Sequence, residues 1–381
     1  MTMAGFFVSM TFTVLIPTLP LFAVRTLHIA DSRIGLLLGL FTFSVFIARL
    51  PVDHLSRRTG PHRLLVASTP LLTVTALSHL FASSFAGLLV LRIAHGLLYG
   101  VITTVMTALA ALSVEKSKRG SAIGTYNAFQ AFSMAIGPAL GELLLSFGAG
   151  CLFASCAFFA LCSTVLSVII RNRMPAIETA SVDSSSGFAS RWVETKAIPP
   201  ALMMLLFAVV FGCVLSYLSI FAQERQLFGW TGLFFACYAA GIFAVRPLLG
   251  RLIDGGRSRL AVRIGAAVMT ISMILFFASH APFVFLSSGF LLGAGYGMCL
   301  TALQHVAISR VAPQRYPAAT GTFFWSLDIG FSFGSVAFGA LLVWFSLATL
   351  FMGLAIVPAL ALLIMLWIPP CRRKRRESDE A

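Results

Sequence analysis

The chain alternates long apolar runs with short polar connections. The runs are about as long as an α-helix that crosses a bilayer, roughly twenty residues. Twelve spanning helices fit this pattern, as two sets of six. The first set is predicted at Gly5–Val24, Ile34–Val52, Leu64–Ala82, Ala86–Leu112, Ala122–Leu145 and Cys151–Ile170. The second set is predicted at Pro200–Ala222, Thr231–Leu249, Ala261–Ala278, Phe283–Ile308, Ala318–Phe345 and Ala348–Ile368.

The segment between the two sets is polar. Residues 171–197 are rich in Ser and acidic residues and lack apolar periodicity, which predicts a flexible linker that lets two bundles move. The domains are therefore predicted as an N-terminal six-helix bundle at 1–175, a linker at 176–197, a C-terminal six-helix bundle at 198–370 and a basic tail at 371–381. The fold class is all-α and membrane-embedded, with two pseudo-symmetric bundles.

An internal repeat supports this division. Shifting the numbering by 197 residues superimposes identical residues in three separate segments. The pairs are Arg49 with Arg246, Gly96 with Gly293, Tyr99 with Tyr296, Gly100 with Gly297, Gly124 with Gly321, Thr125 with Thr322 and Gly137 with Gly334. Tandem repeats of helical bundles are typical of transporters that bind their substrate between two halves. Arg49 and Arg246 are interpreted as part of the shared scaffold.

Composition excludes a soluble protein. Hydrophobic residues make up 59% and charged residues 10% of the 381 residues, far from the composition of soluble domains. The net charge of +14 does not indicate nucleic-acid binding, because the basic residues recur in alternate connections. That distribution places both termini in the cytoplasm of a multi-pass inner-membrane (plasma-membrane) protein. The first apolar run lacks the features of a signal peptide, and whether Met1 is the true start is open.

No cofactor or metal is expected. The seven cysteines show no metal-ligand spacing, and six lie in apolar runs, where cysteine behaves as a small hydrophobe. A nucleotide-binding loop is not recognisable, so ATP is not the expected energy source. A membrane-embedded enzyme would need clustered catalytic or metal-ligating side chains, and the sequence offers none.

Two carboxylates lie inside predicted helices, at Glu142 and Asp328. Asp328 is near the middle of its helix, and a carboxyl at that depth suits reversible proton binding. The competing interpretation is a structural hydrogen-bond acceptor between helices. Arg92, near the outer end of the fourth helix, is the charge at the depth of Glu142. We therefore expect Arg92 and Glu142 to pair, directly or through water, and protonation of Glu142 to break the pair.

Three motifs carry a family resemblance. LRIAHGLLYG, at residues 91–100, places Arg92 and His95 on one helical stripe with Tyr99. AIGPALGE, at residues 135–142, contributes Gly137, Pro138 and Gly141. The loops DHLSRRTGPHR, at 53–63, and GRLIDGGRSR, at 250–259, match a pattern that reads roughly G-x-L-A-D-R-x-G-R-R. With these motifs the chain resembles the major facilitator superfamily, and within it the twelve-helix drug:proton antiporters.

The resemblance implies roles for these residues. It implicates Arg92 in proton coupling and makes the glycine–proline motif a mark of exporters. The loops would form charge contacts with neighbouring helix ends, through Asp53, Arg57, Arg58, Gly60, Gly250, Arg251 and Asp254. Asp53 and Arg57 replace a glycine and an aspartate of the pattern, which puts that contact in doubt in the first loop.

A substrate cavity is expected between the bundles, at side chains with a polar handle. The candidates are His95, Tyr99, Asn127, Gln130, Tyr217, Tyr238, Tyr296, Gln304 and Trp325. The resemblance places them on helices that line or flank the cavity.

The sequence therefore predicts proton-coupled efflux of a small organic molecule by alternating access, with Asp328, Glu142 and Arg92 coupling protons. The expected partners are that substrate, protons and the lipid bilayer, without nucleic acid, and the protein is expected to be a monomer. Proton-coupled uptake of a sugar or organic acid is the alternative, because AIGPALGE lacks two glycines of the export motif. A non-transporting sensor is the second alternative.

Overall fold

A computed structural model describes residues 1–115, 119–173, 194–311 and 316–367. We number its helices by membrane crossing. The first bundle contains α1 (Thr2–Thr13 and Leu15–Leu27), α2 (Gly35–Thr59), α3 (Pro61–Ser78), α4 (Phe85–Leu112), α5 (Arg119–Ser146) and α6 (Ala149–Arg173). The second bundle contains α7 (Ile198–Glu224), α8 (Thr231–Ala244 and Arg246–Asp254), α9 (Ser258–Phe277), α10 (Pro282–Ser309), α11 (Tyr316–Leu341) and α12 (Leu347–Leu354 and Ile356–Trp367).

Twelve helices agree with the predicted all-α membrane fold. Within the described residues, eleven helices are long and apolar enough to span a membrane. The twelfth crossing is α5, a helix of 28 residues in which Phe132–Ser146 form an apolar stretch. The repeat also holds at the level of whole helices, since a shift of 197 residues carries both ends of α4 onto the ends of α10.

Among the described helices, α1, α8 and α12 are interrupted, and each break lies within three residues before a proline. Proline has no amide hydrogen and cannot donate to the carbonyl four residues earlier. Pro17 removes the bond to Thr13, the last residue of the first segment of α1. Pro358 does the same to Leu354 in α12, and Pro247 removes the bond to Phe243 near the break in α8.

The two ends of the molecule have different connections. Because successive helices cross in opposite directions, the connections 28–34, 82–84, 147–148, 225–230, 278–281 and 342–346 lie at one end, which we call the distal end. Met1 lies at the opposite, proximal end. Between the bundles, α2 packs on α11, α5 packs on α8 and α1 packs on α7.

The predicted linker lies mostly outside the described residues. At its end, Glu194 caps a 3-10 turn, Thr195–Ala197, that leads into α7. The amide of Glu194 donates to Thr322 Oγ1 in α11 at 2.9 Å. This end of the linker is therefore attached to the second bundle.

Candidate functional site

An ion pair joins the two bundles near the middle of their helices. Arg49 Nη1 of α2 lies 2.8 Å from Asp328 Oδ2 of α11. Asp328 is the thirteenth of the 26 residues of α11, and Arg49 is the fifteenth of the 25 residues of α2. The side chains are 23% and 11% exposed, so the pair is largely shielded from solvent. Shielding of this kind strengthens the attraction between the two charges.

Arg49 is therefore more than the scaffold residue expected from its repeat partner. The equivalent Arg246 is exposed and has its guanidinium over the Phe243 ring, 4.6 Å from the centroid. Arg49 instead meets a carboxylate whose own repeat position, 131, is alanine. In the sequence, the position of Arg49 inside an apolar run predicts that the charge has a partner. It does not identify that partner.

Other contacts extend this seam between α2 and α11. Trp325, a predicted cavity residue, meets Phe46 edge-on at 5.7 Å between ring centroids. Towards the distal end, Ser332 Oγ donates to the carbonyl of Gly39 at 2.9 Å. We call this set of contacts the α2–α11 seam.

The distal half of the interface contains two hydrogen bonds to helix starts. The amide of Gly35, the first residue of α2, donates to the Tyr217 hydroxyl of α7 at 2.7 Å. The amide of Gly232, the second residue of α8, donates to Glu142 Oε2 of α5 at 3.0 Å. The first turn of a helix has amides without intrahelical acceptors, so each bundle supplies an acceptor to the other. We call the contact of Glu142 with α8 the α5–α8 seam.

The predicted pair between Arg92 and Glu142 is not formed. Arg92 Nε donates to the carbonyl of Leu37 at 3.2 Å, and Nη1 lies 3.4 Å from His95 Nδ1. Its guanidinium lies over Phe41, 4.3 Å from the ring centroid. Glu142 faces the second bundle instead, because α5 presents it to the start of α8. The sequence predicts the position of each side chain along its helix. It does not predict the direction in which the side chain points.

His95 is a buried member of the first bundle. Its Nε2 lies 3.0 Å from Thr11 Oγ1, and that hydroxyl donates to the carbonyl of Val8 at 2.7 Å. His95 Nε2 is therefore assigned as the donor, which leaves Nδ1 as an acceptor for Arg92. The predicted cavity residue Tyr99 packs beside this group, 5.7 Å from the Phe12 ring.

The three other tyrosine candidates for the cavity, Tyr217, Tyr238 and Tyr296, are buried. Tyr238 and Tyr296 stack on Phe211 at 4.9 and 4.6 Å, and both are at most 4% exposed. Tyr217 is fully buried and serves the interface through Gly35. In this conformation these three side chains are packing and contact residues within or beside the second bundle.

The amide candidates are less defined. Gln130 and Gln304 are half-buried, on α5 and α10 respectively. The side chain of Asn127 lies outside the described residues. Their membership of a cavity stays a prediction.

The glycine–proline motif permits a close helix contact. A side chain at Gly137 would collide with Thr13, and one at Gly141 would collide with the carbonyl of Val14. The break in α1 therefore rests on these two glycines of α5, with Pro138 between them. Small residues serve in this way at membrane-helix contacts.

The two predicted charge loops are only partly described. Gly60 ends α2 with φ +84°, a conformation that glycine adopts without strain. Arg58 and Arg251 are exposed, and Gly250 has open space where a side chain would be. The side chains of Asp53, Arg57 and Asp254 lie outside the described residues, so the proposed charge contacts stay predictions.

Known proteins resemble this chain over nearly its full length. An uncharacterised MFS-type transporter of Methanocaldococcus jannaschii is 23% identical over 334 residues, which is 85% of this chain and 86% of the relative. A multi-drug resistance efflux pump PmrA homologue of Lactococcus lactis is 26% identical over 329 residues, with 81% and 78% covered.

Solved structures and a family model agree with these relatives. The nucleoside transporter NupG superimposes with a TM-score of 0.75 at 12% identity, over 96% of this chain and 98% of the other. At that identity the likeness concerns the fold alone. The family model of the Major Facilitator Superfamily matches residues 1–254 and 228–381. With two repeated six-helix bundles that meet at a buried ion pair, the chain belongs to the major facilitator superfamily of membrane transporters.

Proposed function

We propose that this protein is a proton-driven efflux transporter of the plasma membrane, with its proximal end in the cytoplasm. Its substrate is a small organic molecule, amphipathic or modestly polar, that binds between the bundles. The observation that carries the proposal is the ion pair between Arg49 and Asp328, because it joins two moving parts and contains a group that can take up a proton.

The ion pair makes closure of the interface depend on protonation. An ionised Asp328 attracts Arg49 and holds α11 against α2. A protonated Asp328 loses this attraction and leaves Arg49 without a counter-ion, which is unfavourable in a buried site. A proton on Asp328 therefore favours separation of the bundles. Tyr99 of α4 and Tyr296 of α10 are titratable groups that also have an electrostatic interaction with Asp328.

Alternating access follows from the same contacts. The hydrogen bonds of Gly35, Gly39 and Gly232 close the distal half of the interface. We assign this arrangement to the state that exchanges substrate with the cytoplasm. The ion pair stabilises that state while the carrier is empty and deprotonated, so a return without substrate is disfavoured. Substrate binding or a proton then releases the pair.

Two observations favour efflux over uptake. The motif glycines Gly137 and Gly141 make a close contact with α1, and the family resemblance makes this motif a mark of exporters. The relative in Lactococcus lactis is named a multi-drug resistance efflux pump. Uptake remains the alternative that the experiment must separate.

Flux into proteoliposomes tests direction and coupling together. Antiport predicts that an acidic lumen drives accumulation of the transported compound, whereas symport predicts accumulation with an alkaline lumen. Ethidium and salicylate serve as a cationic and an acidic probe, and protein-free vesicles correct for passive partition. Asp328→Asn is expected to abolish the response to the proton gradient. Asp31→Asn, in a distal connection, is the matched control and is expected to keep it.

Three results would contradict the proposal. Accumulation that requires an alkaline lumen would indicate uptake. The absence of flux of any probe through folded, reconstituted protein would favour a non-transporting sensor. An unchanged gradient response in Asp328→Asn would remove Asp328 from the coupling.

A further inference from the structure

Arg92 is a buried cation without a carboxylate partner. Arg92 is only 3% exposed. In the part of the chain that the structure describes, no carboxylate lies within 4.0 Å of its guanidinium. The carbonyl of Leu37, the neutral ring of His95 and the face of Phe41 stabilise the charge without neutralising it.

Such a charge is expensive to keep. An arginine inside a membrane helix is unfavourable unless it is paired or hydrated, and a buried charge without a counter-ion is strongly unfavourable. Leu37 and Phe41 offset part of this cost, because a carbonyl and an aromatic face both attract a guanidinium. The remaining positive charge is available to an anion that is not part of the protein.

A cavity beside Arg92 offers a place for that anion. Its volume is about 20 Å³, and it lies between α1, α2 and α7. One water needs roughly 10–15 Å³, so the cavity holds the oxygens of one acidic group and not a whole drug-sized molecule. Apart from Arg92 and Ser216, its lining is apolar, from residues such as Leu19, Leu38 and Leu215.

The second bundle contributes an unsatisfied hydroxyl to the same cavity. Ser216 of α7 is 2% exposed, and its Oγ has no hydrogen-bond partner among the described residues. Buried hydroxyls are normally hydrogen-bonded. Ser216 and Arg92 line one cavity from opposite bundles, so a single acceptor placed there could satisfy both.

We propose that Arg92 and Ser216 form a subsite for the carboxylate of the transported molecule, which is therefore an amphipathic organic acid. The guanidinium donates N–H groups to the carboxylate, and the Ser216 hydroxyl donates to it from the other bundle. The leucines contact the carbon atoms next to the carboxylate.

This inference deepens the proposed transport function and rests on it, because the carboxylate is assigned to the molecule that the protein transports. It assigns Arg92 to substrate binding and leaves protons to the carboxylates Asp328 and Glu142. Tyr99 lies on the same stripe of α4 as Arg92 and also has an electrostatic interaction with Arg49 and Asp328.

Equilibrium binding without a proton gradient tests the subsite apart from transport. The full-length protein in lipid nanodiscs is titrated with 4-phenylbutyrate, its amide and 4-phenylbutylamine, and binding is followed by calorimetry. The acid is expected to bind, whereas the amide and the amine, of nearly equal size, are expected to bind at least about tenfold more weakly. Chloride and sulfate, titrated alone, form the inorganic arm.

Three variants make the test specific. Arg92→Gln is expected to weaken binding of the acid by about tenfold or more, since a charge-assisted hydrogen bond is lost. Ser216→Ala removes one hydroxyl and is expected to weaken it by about three- to tenfold. Arg263→Gln is the control, because Arg263 also bonds a carbonyl, that of Met365, at 2.6 Å but lies away from the cavity. It is expected to bind the acid as the wild type does.

The outcomes separate this inference from the proposed function. Equal affinity for acid and amide, or full affinity in both Arg92→Gln and Ser216→Ala, would overturn the subsite even if ethidium is exported. If Arg92→Gln does not fold, Ser216→Ala alone decides between the two results. Arg92-dependent binding of chloride or sulfate without binding of the acid would assign the site to an inorganic anion and overturn the substrate class. Binding of the acid with the expected variant pattern would support the subsite even if proton-driven flux were absent.

Discussion

Glu142 and Gly232 are joined by a 3.0 Å hydrogen bond that links the two bundles. The repeat places Gly35 at the position equivalent to Gly232, and its amide also bonds an acceptor from the other bundle. That second acceptor is a phenol, Tyr217, because the position equivalent to Glu142 is Gly339. The same backbone contact is therefore made once by a titratable carboxylate and once by a neutral hydroxyl.

Glu142→Gln is expected to loosen the distal end and to reduce the effect of pH on it. A carboxylate at a helix start is worth about 1 kcal/mol through the helix dipole, which corresponds to about fivefold in an equilibrium. The amide of glutamine keeps an acceptor and loses the charge. Distances between spin labels at Ser83 and Ala281, both exposed on distal connections, measure the open fraction as a function of pH. An open fraction that varies with pH as in the wild type would show that Glu142 is not the sensor at this seam.

Tyr217→Phe is expected to loosen the distal end by a similar amount at every pH. It removes the acceptor for the Gly35 amide, and a hydrogen bond of this kind contributes about 1 kcal/mol. No carboxylate is changed, so the curve of open fraction against pH should shift without flattening. The same spin labels serve for this measurement. A flattened curve would contradict the assignment of pH sensing to the α5–α8 seam.

Arg49 and Asp328 are expected to behave as one unit. Arg49→Gln or Asp328→Asn alone leaves a charge without its partner, whereas the double variant removes both charges. The double variant should therefore be less destabilised than the sum of the single variants, by about 1–3 kcal/mol. Chemical unfolding of the purified protein measures the three differences. Strict additivity would show that the pair contributes nothing to the closed state.

Gly141→Ala and Gly150→Ala are expected to have opposite effects. A methyl group at Gly141 collides with the carbonyl of Val14, whereas one at Gly150 meets open space. The first substitution should destabilise the fold by about 1–3 kcal/mol through overpacking. The second should be neutral or stabilise it by up to about 1 kcal/mol, because alanine restricts the unfolded chain. Unfolding midpoints decide, and equal midpoints would show that α1 and α5 can move apart freely.

The proximal end is expected in the cytoplasm. Basic residues concentrate in the connections of that end, and such residues are retained on the cytoplasmic side during insertion. A green fluorescent protein fused after Ala381 should fluoresce, and alkaline phosphatase inserted at the exposed Gly148 should be active outside. The reverse pattern of activities would invert the proposed orientation and the direction of transport with it.

Helix positions could be predicted because apolar length and the repeat both constrain them. The bounds of α4 and α10 follow from runs of apolar residues that neighbouring polar turns end on each side. The proline breaks in α1, α8 and α12 were visible as residues, yet the sequence did not show whether each would bend or interrupt its helix.

Contacts between the bundles could not be predicted in the same way. Which side chains meet across the interface depends on helix rotation, and a rotation of one residue moves a side chain by about 100°. The sequence therefore predicts the wrong partner for Glu142, which accepts from the amide of Gly232 and not from Arg92. The roles of Arg49 and Ser216 follow only from the structure. It shows that α2 packs on α11 and that α7 lines the cavity beside Arg92.

The unequal acceptors at Gly35 and Gly232 have a consequence for the path of the motion. If the contacts at Gly35 and Gly232 were chemically alike, the bundles would separate at both contacts at once. The motion would be a rotation about an axis midway between them. At the distal end, a proton on Glu142 weakens the α5–α8 seam and leaves the bond between Tyr217 and Gly35 intact. A proton on Asp328 acts at the middle of the interface instead. The distal end is therefore expected to part first beside α5 and α8, as a tilt about an axis that passes near Tyr217.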